Sequence, residues 1–148
     1  MSPRIRPMRR ADLARVEAIY RQYAAEAPPT DWLSTAYEAI DTGADAPLAL
    51  VAEAARGRVI GYIVGAVRSW EFGSKPAGWV IGIGVDVEHQ KESAGAELLK
   101  ALVASFTARG TTTVRTMVRR DDVRVLRFFR TAGFAMGPYS ELEMEVTP

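Results

Sequence analysis

Residues 81–99 hold the part of this chain best suited to chemistry. Ile81-Gly82-Ile83-Gly84-Val85-Asp86 reads as a strand, and His89-Gln90-Lys91-Glu92-Ser93-Ala94-Gly95-Ala96 follows as a small-residue turn that opens an amphipathic helix. A helix N-terminus presents unpaired N–H groups and the positive end of the helix dipole, which together bind phosphate. Gly and Ala keep that backbone bare, so a pyrophosphate can approach it closely. A nucleotide-like cofactor is the ligand this spacing predicts. His89, just before the turn, reads either as a surface cap residue or as a phosphate neighbour.

Composition removes several other chemistries. The 148 residues include no cysteine and one histidine. Disulfides, thiolate zinc sites, iron–sulfur ligation and a cysteine nucleophile are therefore excluded, and no metal site is expected. Apolar residues make up 48% and charged residues 25%, as in an ordinary globular protein, and the net charge is +1. That balance gives no field favouring nucleic acid or an anionic membrane, so neither is expected as a partner. No apolar run approaches the ~20 residues that span a bilayer, and Met1 to Pro7 lacks the apolar region of a secretory leader. A cytoplasmic location and one domain over 1–148 are the expectations.

The elements that would position the turn follow from periodicity and turn residues. Residues 5–8 read as an edge strand because Pro7 lacks a donor. Asp12 caps or opens a helix with Leu13, Val16, Ile19, Tyr20 and Tyr23 on its apolar face, broken by Pro28-Pro29. Thr30 or Asp31 starts a second helix to Ile40, buried through Trp32, Leu33, Ala36, Tyr37 and Ile40. Strands are predicted at 47–53, 59–68 and 79–85, with a loop from Ser69 to Ala77. A helix over 94–108 ends at Gly110, a strand spans 112–118, and a helix over 123–132 ends at Gly133. Glu141 to Val146 alternates acidic and apolar residues and reads as a last strand, with a short one possible at 134–136. Arg120, Arg124 and Arg127 form a stripe at i, i+4 and i+7, either a solvated face or one turned to an anionic group.

This order, with this turn, resembles the GCN5-related N-acetyltransferase (GNAT) superfamily over nearly the whole chain. The family's motif Arg/Gln-x-x-Gly-x-Gly/Ala is met by Gln90 to Gly95 after the strand end Ile83-Gly84-Val85. Its second signature, Asn before a helix with Phe-Tyr and then Gly-Phe, is met by Asp122, Phe128-Phe129 and Gly133-Phe134. The resemblance implies an α/β fold: a twisted, mostly antiparallel sheet with a splayed parallel pair, flanked by about four helices. It implies acetyl-CoA as cofactor, with its pyrophosphate on the main chain of Gln90, Lys91, Glu92, Ser93, Ala94, Gly95 and Ala96. The pantetheine arm would pair like a strand with Ile83 and Val85, Gly84 marking a bulge there, and Asp122 and Phe129 would join the cofactor site. Three departures stand out. Ser93 replaces a glycine, at a cost of about 1 kcal/mol if the position needs positive φ. Glu92 puts a carboxylate near the phosphates, and Phe129 replaces the tyrosine that protonates the departing thiolate.

Acetyl transfer to an amine needs a base, a polarised carbonyl and a proton donor for sulfur. Glu71, in the loop before the cofactor strand, is the base candidate beside its plain reading as a loop charge, and Glu53 is a second carboxylate. Tyr139, before the last strand, is the acid candidate or a packing residue. Trp70 and Phe72 are candidates for the acceptor-site wall. The expected function is N-acetylation of a primary amine (a protein lysine, a peptide N-terminus or a small amine) by direct transfer, because no cysteine exists to carry an acyl group. The expected assembly is a monomer or homodimer. Phe129 and the altered loop motivate the competing reading, a non-catalytic acyl-CoA-binding or regulatory module.

Overall fold

A computed structural model describes residues 2–24, 29–40 and 45–147, with side chains in the second helix described from Ser34 onward. The elements run β1 (Arg4–Pro7), α1 (Leu13–Arg21), α2 (Pro29–Ile40), β2 (Ala49–Glu53), β3 (Val59–Arg68), β4 (Ala77–Val85), α3 (Ala94–Ala108), β5 (Val114–Arg115) and α4 (Val123–Thr131). The sheet order is β1-β2-β3-β4-β5, antiparallel except for the β4–β5 pair. This is the mixed fold with a parallel pair and four helices that the sequence implied. The chain forms two compact units, residues 1–117 and 118–148. Among the described residues no helix is long and apolar enough to cross a membrane.

The first unit carries the sheet. Its centre is the branched apolar run of β2 and β3, with Val51, Ile60, Ile63 and Val64 fully buried. The apolar period of α3 puts Leu98, Leu102 and Phe106 on the face of Gly61 and Gly65, while Tyr62 faces the opposite way, beside Tyr20 and Tyr23 of the α1 side. Burial pushes the Tyr62 phenol pKa up. Phe106 explains a glycine as well: a Cβ on Gly78 would sit 2.6 Å from its ring, so the strand can lie against the helix only without a side chain.

Arg6 fastens the edge. Its guanidinium is buried, forms two 2.8 Å hydrogen bonds to the Asp12 carboxylate and also donates to Glu53 of β2. Asp12 opens α1 as expected, but its side chain makes no cap bond; it accepts from Arg6 and from the Arg9 N–H at 2.8 Å, which locks the turn entering the helix. Hydrogen bonds from Arg6 hold both carboxylates below the usual range, against the opposing effect of burial. Glu53 is thus a structural ion pair and a poor base.

Other expectations held or moved in ways the pairing explains. The ranges 59–68 and 94–108 match, and Gly110 and Gly133 follow their helices with φ of +80° and +103°. The expected strand 112–118 contracts to Val114–Arg115, because its ladder with β4 stops at Trp79↔Arg115 and the Thr116 hydroxyl then donates to the Val80 carbonyl at 3.1 Å. The expected burial of Trp32 and Leu33 and the break at Pro28 lie outside the described residues. Tyr37 is exposed, with Arg10 over its ring at 5.5 Å.

The second unit is α4 and its flanks. Phe129 is buried, and its ring meets Phe128 and Phe134 edge-on at 5.1 Å each. The strands expected at 141–146 and 134–136 do not form. Alternation supplies a face, but a strand also needs a ladder, and among the described residues α4 is the one regular element of this unit. Leu142, Met144 and Val146 are exposed. Arg120 precedes the Asp122 cap, so the expected arginine stripe is not a single helical face.

Candidate active site

A bulge in β4 creates the site. The register passes from Val64↔Gly82 to Gly65↔Val80 and leaves Ile81 as the additional residue. Gly78 N–H donates to Thr113 O at 2.9 Å and Val80 O accepts from Thr116, so even-numbered residues face β5 at the start of the strand. Past Ile81 the alternation reverses: Asp86 N–H donates to Ile60 O at 2.8 Å, and Gly82 and Gly84 share its phase. The main-chain groups of Ile83 and Val85 therefore point to the edge that β5 has left. The two strands splay where an amide-bearing ligand would add as a strand. The bulge falls at Ile81 and not, as expected, at Gly84. Gly84 instead makes room for the Tyr62 ring.

The connection from β4 to α3 is tightly held. Asp86 is buried, accepts from Glu88 N–H at 3.1 Å and pairs with Arg15, whose Nε donates to Val59 O at 3.0 Å. Arg58 and His89 each approach Asp86 Oδ2 to 3.9 Å. Burial opposes charge on Asp86, but the Glu88 N–H, Arg15 and Gln22 together hold its pKa below the usual range. Gln22, at the end of α1, accepts from Val87 N–H at 3.0 Å, and the neighbouring Tyr23 hydroxyl donates to Val85 O while accepting from Gln90 Nε2. Sequence reasoning missed Arg15, Gln22 and Tyr23, which stand more than forty residues from their partners.

The loop ends at α3 as a phosphate site would. The first bond of the helix runs from Glu97 N–H to Ser93 O at 3.0 Å, so the N–H groups of Ala94, Gly95 and Ala96 precede the helical ladder. Ser93 has φ −79° and makes no cap bond with its side chain. The strain expected of serine there is absent. Gln90 is half-buried, while Lys91, Glu92 and Ser93 are exposed. His89 Nδ1 is buried without a hydrogen-bond partner, 3.9 Å from Asp86.

The β3–β4 hairpin carries the other candidates. Trp70 and Phe72 are exposed and adopt left-handed φ of +62° and +54°, strained for bulky side chains. Glu71 between them is half-exposed and pairs with Arg68 at 3.2 Å, while Arg68 also lies over the Trp79 ring at 5.8 Å. In the second unit, Asp122 caps α4 by accepting from Val125 N–H at 3.1 Å, and Tyr139 is exposed.

Residues 13–134 match the acetyltransferase (GNAT) family. The chain belongs to that family. It is a GNAT-type N-acetyltransferase that uses acetyl-CoA. No curated protein matches the sequence. Among solved structures, AAC(6')-Iy in complex with the bisubstrate analogue CoA-S-monomethyl-acetylneamine is similar with TM-score 0.81 and 19% identity, covering 99% of this chain and all of that one. Aminoglycoside 6'-N-acetyltransferase AAC(6')-IG from Acinetobacter haemolyticus gives TM-score 0.75 and 16% identity, covering 98% and 99%. Ard1 from Thermoplasma volcanium gives 0.75 and 22%, covering 93% and 85%. At these identities the likeness is one of fold. The GNAT cofactor fits this chain on two observations: the open edge at Ile83 and Val85, and the amides that begin α3.

Proposed function

We propose that this GNAT enzyme acetylates a primary amine on a small cationic molecule. The observation that carries the cofactor side is the splay of β4 from β5 directly before the N-terminus of α3. Main-chain groups of Ile83 and Val85 receive the pantetheine arm, with Gly84 between them, and the amides of Gln90, Lys91, Glu92, Ser93, Ala94, Gly95 and Ala96 receive the pyrophosphate. When bound, acetyl-CoA supplies the activated thioester.

Glu71 takes the proton of the acceptor amine, and Trp70 and Phe72 wall the acceptor. Two aromatic faces beside a carboxylate suit a cation, since ring faces attract positive charge. Tyr139 is our candidate proton donor, in place of the hydroxyl that Phe129 lacks, on the family resemblance alone. Asp122, which caps α4, and the buried Phe129 are kept as candidate cofactor residues on that same resemblance. We take 1–148 as one acetyltransferase domain, a reading supported by a family match that crosses both compact units. Dependence on acetyl-CoA supports a cytoplasmic location, and the assembly is a monomer or homodimer.

Several structural neighbours are aminoglycoside N-acetyltransferases by name, which makes amino sugars the first acceptors to try, ahead of lysine peptides and peptide N-termini. The test is thiol release from acetyl-CoA across such a panel. Turnover confined to lysine or N-terminal peptides overturns the small-amine assignment. Absence of CoA binding by calorimetry overturns the cofactor site.

A further inference from the structure

The Tyr23 hydroxyl donates to the carbonyl of Val85 and accepts from Gln90 Nε2. Those contacts join the last outward-facing residue of β4 to the first residue of the proposed phosphate loop. An arm running along the β4 edge to the α3 amides crosses this line. We propose that Tyr23 and Gln90 form a latch over the cofactor slot, which coenzyme A opens by taking the Val85 carbonyl from the phenol. The proposal rests on the cofactor site given above and adds a regulatory contact to it.

The chemistry favours such an exchange. An outward carbonyl on an open sheet edge needs a donor, and an open edge invites pairing with other chains. Tyr23 supplies the donor when no cofactor does. The neighbouring Gln22 holds Val87 N–H and lies 3.5 Å from Asp86, so the connection stays anchored when the phenol leaves. Tyr23 is half-exposed at the end of α1, where moving its ring uncovers little apolar core. The bond it loses is replaced by an amide of the arm, so the net cost of opening is the difference between two hydrogen bonds plus the loss of the Gln90 contact.

Calorimetry with coenzyme A on the wild type and on Tyr23→Phe tests this. Loss of the hydroxyl keeps the ring and removes the competitor, so the Kd should fall about 3- to 10-fold, the span of one net hydrogen bond. An unchanged Kd overturns the latch alone, and a weaker one makes Tyr23 a cofactor ligand instead. If neither protein binds coenzyme A at millimolar concentration, the cofactor site falls and the latch with it. A crystal of the wild type with coenzyme A decides independently of the variant's folding. The Tyr23 hydroxyl should have left Val85 O, and its persistence there with cofactor bound overturns the proposal.

Discussion

Gly84 faces Tyr62 so closely across β3 and β4 that a Cβ at position 84 would lie 2.6 Å from Tyr62 Cε1 and 2.9 Å from its hydroxyl. Tyr62 is buried, so the ring has little room to retreat. Gly84→Ala should cost about 1–3 kcal/mol of stability, the range for overpacking a filled interior. Because the strand would shift between Ile83 and Val85, coenzyme A affinity should fall too. Urea unfolding and calorimetry measure both. Replacing Tyr62 by Leu in the same protein should recover part of the loss, and additive effects in that cycle would show that the two sites do not touch.

The Arg6 network sets an acid limit on stability. Asp12 and Glu53 have folded pKa values lowered by Arg6. Lowered values mean that the ionised pair stabilises the fold fully above the unfolded pKa, near 4. The contribution is lost as pH falls from there through the folded values. Urea midpoints should therefore decline below about pH 4 in the wild type. Arg6→Met leaves the buried Asp12 carboxylate without its guanidinium partner and should cost about 3–5 kcal/mol at pH 7. In that variant acidification should relieve part of the loss, so a parallel pH dependence in both proteins would refute this account.

Much of this fold was legible in the residues, and the gaps have physical causes. The range of β3 was readable because branched and aromatic residues with two glycines suit a strand and oppose a helix. The range of α3 was readable because its apolar period runs unbroken to Gly110. Local pattern does not carry register, so the bulge at Ile81 was misplaced to Gly84: an added residue is defined only against the strand opposite. The same limit hid Tyr23, whose hydroxyl meets Val85 across sixty-two positions. It hid the Arg15–Asp86 pair as well. At the C-terminal end the pattern said too much, since Glu141 to Val146 alternates perfectly and still has no ladder.

Asp122 gives a local test in the second unit. Its carboxylate accepts from Val125 N–H, so Asp122→Ala removes a cap worth about 1 kcal/mol. Asp122→Asn or Asp122→Ser should retain most of it. Hydrogen exchange at the first turn of α4 should rise in the Ala variant alone. Equal protection in all three would mean that the cap contributes nothing.

Glu92 puts a negative charge on the proposed phosphate loop from an exposed position. At a wet helix terminus such repulsion is modest and screened by salt. Glu92→Lys should tighten coenzyme A several-fold at low ionic strength, with the gain shrinking as salt rises. Pantetheine analogues, which lack the pyrophosphate, should show no gain. A gain that persists with those analogues would move the effect away from the diphosphate.

Glu71 is the carboxylate on which the proposed chemistry depends. It pairs with Arg68 at 3.2 Å at the head of β4, between two exposed aromatic residues. A residue that receives the amine proton affects kcat/KM by about 10²–10⁴-fold. Glu71→Gln should lower the rate on that scale and change its pH profile, because the amide keeps the shape and loses the proton acceptor. Arg68→Met provides the control, since it removes the partner, keeps the carboxylate and should retain most of the rate. If Glu71→Gln raises KM while kcat and the pH profile stay as they were, Glu71 only holds the cation. The base must then be sought elsewhere along the β4 edge, or in water next to Ile83.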